Sequence, residues 1–343
     1  MNQRFLPLIA TIIVFVVGYL FCALQFNHFA TLRVVMNLLT DNAFIGIIAV
    51  GMTFVILSGG IDLSVGSIIA FTTVVLAVLI GSWHVNPWVA FAMVLVLGGA
   101  FGAGMGAIIH FFQLPPFIVT LSGMFLVRGL AFVISTESIP INHPLFAQLN
   151  DIVVVVPGGS HLTLIAMVML VVLGIGTVLA HLTRFGTNVF ALGGNRVSAQ
   201  LMGVPIARTT ISIYALSSLL AALSGIVFSL YTAAGYALAG TGVELDTIAA
   251  VVIGGTLLSG GAGHMLGSFL GVMIEGLIQT YISFDGTLSS WWTKIAIGVL
   301  LFMFIGLQRL LTVVWAAKAS APSRPASGKA APADAAGPRP QRA

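Results

Sequence analysis

The sequence predicts an all-α, polytopic membrane helix bundle of about ten spans, with a parallel internal repeat and helices broken at two Ser-Gly-Gly segments. Composition is the first reason. Of 343 residues, 59% are apolar and only 6% charged, with a mean hydropathy of +1.12. A soluble domain carries about 25% charged residues, so this chain cannot cover a globule with polar surface. That excludes a soluble enzyme, and the abundance of apolar residues excludes a disordered body. The second reason is a series of apolar windows of spanning length, and the third is a glycine-rich segment that occurs twice. The single cysteine, Cys22, rules out an internal disulfide framework or a cysteine-based zinc site.

Windows between charged or Gly/Pro-marked breaks place spans near 6–26, 42–58, 66–82, 88–112, 117–135, 162–182, 209–232, 246–258, 264–283 and 294–312. The first is long and nine follow it, so it is expected to be a retained span rather than a signal peptide. With the N-terminus inside, Arg4, Arg184, Arg196, Arg208, Arg309 and the tail fall on the cytoplasmic face, leaving Arg33 and Lys294 outside. An even number of spans returns the tail to the face of Arg4, so both termini are expected to be cytoplasmic.

Residues 1–315 form the expected transmembrane domain, and 316–343 an expected disordered cytoplasmic tail rich in Ala, Pro, Ser and Gly. The tail holds five basic residues against Asp334, which accounts for the whole net charge of +4 and leaves the body neutral. The basic pI therefore belongs to the tail and gives no reason to expect nucleic acid; the partner implied by composition is the lipid bilayer.

The repeat pairs Leu57-Ser-Gly-Gly-Ile-Asp-Leu-Ser-Val-Gly-Ser-Ile with Leu258-Ser-Gly-Gly-Ala-Gly-His-Met-Leu-Gly-Ser-Phe at an offset of 201 residues. The same offset lays the first four spans over the last four. Adjacent glycines break a helix, and broken helices at membrane depth occur where backbone is buried in protein or lines a wet cavity. Asp62 sits inside the first break with Ser64. It either caps the helix that follows or faces the solute.

Catalytic motifs fail. No phosphate-cradling Gly-x-x-x-x-Gly-Lys-Ser/Thr occurs, so the chain carries no ATPase site of its own. The seven histidines show no His-Glu-x-x-His pattern, and no Ser-Gly pair in the body has a glycine two places earlier, which removes the usual intramembrane protease signatures. No cofactor or metal is implied. Gly98, Gly102 and Gly106, and again Gly267 and Gly271, fall at four-residue spacing, as close helix packing requires.

Arg128 and Glu275 lie inside apolar windows, where a charge costs at least about 2.5 kcal/mol unless it meets a partner or water. They either pair with one another or sit separately on a polar path. The path candidates are Asp62, Ser64, Thr120, Arg128, Tyr231, Tyr236, Glu275 and Gln279, because a neutral solute needs hydrogen-bonding and stacking groups. Glu137, Asp151, Glu244, Asp246 and Asp285 fall on the outer side, as docking acids for an external partner or as solvated loop ends.

The connection from Arg184 to Arg208 is the longest on the inner side. A break at Gly193-Gly194, a cap at Asn195, and a short helix through Arg196, Ala199, Leu201 and Met202 to Gly203 are expected there. An amphipathic helix exposing Leu201 and Met202 needs a partner surface.

Taken together, Ser58-Gly-Gly-Ile-Asp-Leu-Ser-Val-Gly-Ser67, Ala191-Leu-Gly-Gly-Asn195 with Ala199 to Gly203, and Val252-Ile-Gly-Gly-Thr with Leu258-Ser-Gly-Gly resemble the ribose/arabinose/xylose-type permeases of bacterial ABC sugar importers. The resemblance covers nearly all of residues 1–315. Glu137-Ser-Ile-Pro-Ile-Asn-His-Pro144 and Phe284-Asp-Gly-Thr-Leu-Ser-Ser-Trp-Trp-Thr-Lys294 look more narrowly like a permease of the galactofuranose type. The resemblance implies an inner-membrane, alternating-access pathway fed by a periplasmic sugar-binding protein and driven by a separate ABC ATPase subunit gripping Arg196 to Gly203. It also implies a second, different permease as partner.

Overall fold

A computed structural model of the chain describes residues 6–156, 159–289 and 291–319. The expected tail from residue 320 onward lies outside the described residues. Each of the ten apolar windows falls on a helix, but not all are full crossings. Seven helices are long and apolar enough to cross a bilayer, or eight if one bent pair counts as a single span. About ten complete spans are therefore not reached among the described residues, and the differences have local causes.

Helix α1 (Leu6–Gln25) has 20 residues, long enough for a hydrocarbon core of about 30 Å. It turns Val17, Leu20, Phe21 and Leu24 outward, as a lipid-facing helix does. Helices α2 (Leu32–Asp41) and α3 (Ala43–Leu57) form the bent pair, 58° apart at Asn42. The Asn42 amide donates to Leu38 O at 2.9 Å, tying the joint. The sequence window began at residue 42 because Arg33, Asn37 and Asp41 make α2 look like a loop. Helix α3 alone has 15 residues and is buried almost all round, as a core helix apolar on every face must be.

After the first break, α4 (Val65–Leu76) continues as a π-helical stretch over Ala77–Ser82. Helix α5 (Pro87–Phe111) starts with Asn86 accepting from Trp88 N at 3.0 Å and Pro87 in the first turn. Helix α6 (Pro116–Ile134) and the short α7 (Pro144–Asn150) follow. Two small antiparallel ribbons lie beside them: β1 (Ile139–Pro140) pairs with β4 (Ala234–Gly235), and β2 (Val153–Val156) with β3 (Ser160–Thr163).

Helix α8 (Leu164–Leu182) leads into α9 (Arg184–Gly194) and α10 (Arg196–Leu201), then α11 (Ile206–Thr232). The glycine stripe of α5 packs on α11 as its spacing predicts: a methyl at Gly98 would sit 2.7 Å from Ala222 Cβ, and one at Gly106 2.8 Å from Ile211 Cα. Helix α12 (Val243–Ile253) has only 11 residues, because Gly254 and Gly255 (φ +90°) stop it inside the apolar window. It packs on α13 (Met265–Asp285), where Gly267 and Gly271 approach the Gly254 and Ala250 carbonyls. Helix α14 (Trp291–Ala319) closes the described chain, with a shorter apolar part over Trp291–Gly306.

Candidate functional site: a glycine junction and a polar cavity at opposite ends of α13

The face carrying Arg184, Arg196 and Arg208 holds the junction. Helix α3 ends at Leu57, and the chain turns through Gly59 (φ +80°). The second Ser-Gly-Gly segment arrives at the same point with Gly260 (φ +81°) and Gly261 (φ +75°). Gly261 N donates to Leu57 O at 2.8 Å, so the two breaks share a backbone hydrogen bond. A methyl on Gly260 would lie 2.7 Å from Gly59 N and 3.1 Å from Gly193 Cα, and one on Gly261 2.8 Å from Gly194 Cα. A methyl on Gly193 would run into Leu57 O and lie 2.7 Å from Gly261 N. Three segments distant in sequence thus meet backbone to backbone, a proximity open only to glycine.

The expected break at Gly193-Gly194 is corrected here. Both residues belong to the last turn of α9, and the chain breaks at Asn195, whose Oδ1 accepts from Ser198 N at 2.9 Å to start α10. Gly193 is glycine for contact and not for flexibility. Ala199 is fully buried and anchors α10, and Gly203 (φ +80°) ends it. Val197, Leu201 and Met202 stand 69%, 84% and 72% exposed, an apolar face left open among the described residues. Beside the junction the rings of His181 and His264 stack with centroids 4.3 Å apart. His264 Nδ1 caps α13 by accepting from Leu266 N, and His181 Nε2 accepts from Met265 N.

Three of the expected path residues meet at the first break. Asp62 is fully buried: Oδ1 accepts from Ser64 N at 2.9 Å and Ser64 Oγ at 2.6 Å, and Oδ2 from Ser217 Oγ at 2.8 Å. These bonds tie the residue before α4 to α11. Thr120 Oγ1 donates to Ile61 O at 3.2 Å and holds the same break against α6. Tyr214, which sequence reasoning missed, is buried against Gly60, and its hydroxyl has no partner among the described residues.

Arg128 and Glu275 do not pair. Arg128 Nη1 donates to Ala237 O at 2.7 Å and Ala239 O at 2.8 Å, stapling the chain between β4 and α12 to α6. Tyr236 lies in this stapled stretch, its backbone N–H on Thr73 Oγ1. Glu275 is 5% exposed, and its Oε1 has no hydrogen-bond partner among the described residues.

Two of the outer acids lie against other parts of the chain. Asp246 forms an ion pair with Lys294, and Glu244 points its carboxylate at Gly66 of α4, where Oε2 is buried. Both sit in the first turn of α12, where negative charge suits the helix dipole. Glu137 and Asp151 remain exposed, and Asp285 is half-exposed and holds the Thr287 hydroxyl.

At the other end of α13 lies a cavity of about 1020 Å³ between α2, the start of α3, the end of α11 and α13. Tyr231 and Gln279 line it, the two path candidates that the fold brings together. Arg33, Asn37, Asp41 and Asn42 join them from α2 and the bend, all unforeseen because α2 itself was. The Tyr231 hydroxyl donates to Asp41 Oδ1 at 3.2 Å, bridging α11 and α2 across the cavity. Gly276 leaves room for the Asn42 side chain, which a methyl there would displace.

Over residues 34–305 the chain matches the family described as "Branched-chain amino acid transport system / permease component". The chain belongs to this permease family. It is similar to the inner membrane ABC transporter permease protein YjfF of Escherichia coli (strain K12), 63% identical over 94% of this chain and 97% of that protein. It is also similar to the fructose import permease protein FruG of Bifidobacterium longum (strain NCC 2705), 37% identical over 92% of this chain and 94% of that one. The ribose import permease protein RbsC of E. coli (strain K12) is 38% identical over 81% of this chain and 86% of its own length. No solved structure matches. Family and helices together make this a multi-pass membrane permease component.

Proposed function

We propose that the chain is the membrane-spanning subunit of a bacterial ABC sugar importer, passing a monosaccharide, of the galactofuranose class by resemblance, across the inner membrane. ATP hydrolysis resides on a separate subunit, a periplasmic binding protein delivers the sugar, and a second permease completes the pathway. Both termini and the basic face are cytoplasmic, in line with the bias of Lys and Arg. The observation that carries this reading is α10. It exposes Leu201 and Met202 to a partner while its neighbour α9 is fastened, through Gly193, to both helix breaks. A partner gripping α10 would therefore act on the segments that interrupt the spans. The relatives named for fructose and ribose support a sugar.

A parallel repeat at the 201-residue offset is part of the proposal. The equivalent positions Gly59 and Gly260 touch, which is what residues on a twofold axis along the membrane normal must do. A second reading has one observation in its favour: Arg33 and Asp41 share the cavity, and a zwitterionic amino acid could use both.

Proteoliposomes test these readings. Radiolabelled galactose, in equilibrium with its furanose form, and ribose, fructose and leucine are offered to the complete complex and to partial assemblies. Sugar uptake that needs ATP, the ATPase and the binding protein is the expected result. Uptake by this chain alone, or uptake driven by an ion gradient without ATP, would overturn it.

A further inference from the structure

We propose that the cavity between α2, α13 and the end of α11 is a sugar-binding station on the translocation path, taking a neutral monosaccharide through Asn37, Asp41, Asn42, Tyr231 and Gln279. The inference rests on the sugar-permease reading and adds the site to it. The volume, about 1020 Å³, stands at the upper end of the range of about 300–1,000 Å³ usual for small-molecule sites, so a monosaccharide fits with some of its water.

The lining chemistry selects a polyol. Side-chain amides offer a donor and an acceptor from one group, and vicinal sugar hydroxyls ask for that pair. Asn37 on α2, Asn42 at the bend and Gln279 on α13 supply three such amides, one N–H of Asn42 being already given to Leu38 O. Asp41 adds a carboxylate acceptor, the strongest single partner for a hydroxyl. Its charge is offset on the same lining by Arg33, so the site has no reason to prefer an ion. Asp41 Oδ1 accepts the Tyr231 hydroxyl at 3.2 Å. A sugar hydroxyl can join or replace Tyr231 there.

The position supports a transient station rather than a closed pocket. Asn37, Asp41 and Gln279 are exposed in the chain, while Asn42 at the bend is buried. The wall itself is jointed: α2 meets α3 at 58°, and the Asp41–Tyr231 contact is the hydrogen bond that ties α2 to α11 across the opening. Solute can enter past exposed groups and be handed to a floor that moves with α3.

Thiol accessibility in the complete complex tests the proposal. Cys22 is buried and is the chain's single cysteine, so Cys22→Ala gives a silent background. Asn37→Cys and Gln279→Cys are labelled with a charged, membrane-impermeant methanethiosulfonate, with Trp83→Cys, exposed and away from the cavity, as control. Binding protein is supplied either empty or loaded with galactose, ribose, fructose or leucine. The sugar that is transported should slow labelling at 37 and 279 about tenfold relative to empty binding protein, and not at 83, as expected for losing access to an occupied site. Labelling Asn37→Cys should stop uptake, and Asp41→Asn should lower it about tenfold, the order of one hydrogen bond to a charged group. Normal sugar uptake with no sugar-dependent protection, and full uptake by the labelled variants, would overturn the station while leaving the importer reading intact. Protection by leucine alone would overturn its sugar chemistry. Absence of uptake of every sugar by the unmodified complex would instead overturn the reading on which the station rests.

Discussion

Gly193→Ala should damage this protein far more than Gly194→Ala, although the two glycines are neighbours in the last turn of one helix. A methyl at 193 has to enter the space between Leu57 O and Gly261 N, which are hydrogen-bonded at 2.8 Å. Two costs add. The junction must open, an overpacking term of about 1–3 kcal/mol. The Leu57 carbonyl or the Gly261 amide then loses its partner in a confined place, about 1–3 kcal/mol more. The sum is about 2–6 kcal/mol. At Gly194 a methyl meets nothing within 4 Å, and alanine is the better helix former by up to about 1 kcal/mol, so Gly194→Ala should be neutral or slightly stabilising. Thermal unfolding of the purified complex in detergent should separate the pair by several degrees. In vesicles Gly193→Ala should hydrolyse ATP with little sugar uptake, because α9 no longer sits on the breaks. Equal melting temperatures and equal uptake in the two variants would refute the junction as a rigid backbone contact.

Other consequences are equally open to measurement. Leu201→Asp should leave folding unchanged, since the side chain is 84% exposed, and should abolish co-purification of the ATPase subunit. Lys294→Met removes the ion-pair partner of Asp246; with the lysine half-exposed the loss should be no more than about 1 kcal/mol, and a double-mutant cycle with Asp246→Asn measures that coupling. Burial holds the His264 imidazole below the ordinary histidine range. The unfolded chain therefore binds the extra proton first, and stability falls as pH drops below about 6.5. Melting curves at pH 7.5 and 5.5 should show that loss, and His264→Asn, which can still cap α13, should reduce it. Thr53→Val with Ser268→Ala removes the buried 2.8 Å hydrogen bond between α3 and α13 and should lower sugar carried per ATP without stopping hydrolysis.

Much of the helical layout was legible because membrane helices must satisfy their own backbone, which leaves long apolar windows in the sequence. Caps were equally local: Asn195 and its hydrogen bond to Ser198 follow from residue type and spacing. Helix α2 was hidden because Arg33, Asn37 and Asp41 face a cavity, and a polar residue facing a cavity has the same letter as one in a loop. The Gly193-Gly194 pair misled for a related reason. Glycine serves both as breaker and as contact, and only the distant Leu57 and Gly261 decide which. Charge partners were the least legible part. Arg128 answers carbonyls about 110 residues away, and Asp246 answers Lys294, pairings that no periodicity encodes.

The junction and the cavity are joined by the two helices that reach both. Helix α3 carries Leu57 at one end and Asn42 at the other; α13 starts at Met265, capped beside the junction, and lines the cavity from Gly276 to Phe284. Fifteen residues of α3 make a rod of about 22 Å. It is buried along nearly its whole length, and Thr53 Oγ1 fixes it to Ser268 Oγ of α13. A core packed like this cannot absorb a displacement by compressing, so a shift imposed at one end must appear at the other or break contacts between. At the far end the Asp41–Tyr231 hydrogen bond is exposed and 3.2 Å long, while the near end is locked by glycine backbones that have no side chain to yield. Force applied at α10 is therefore expected to be spent at the mouth of the cavity, where the solute would be held.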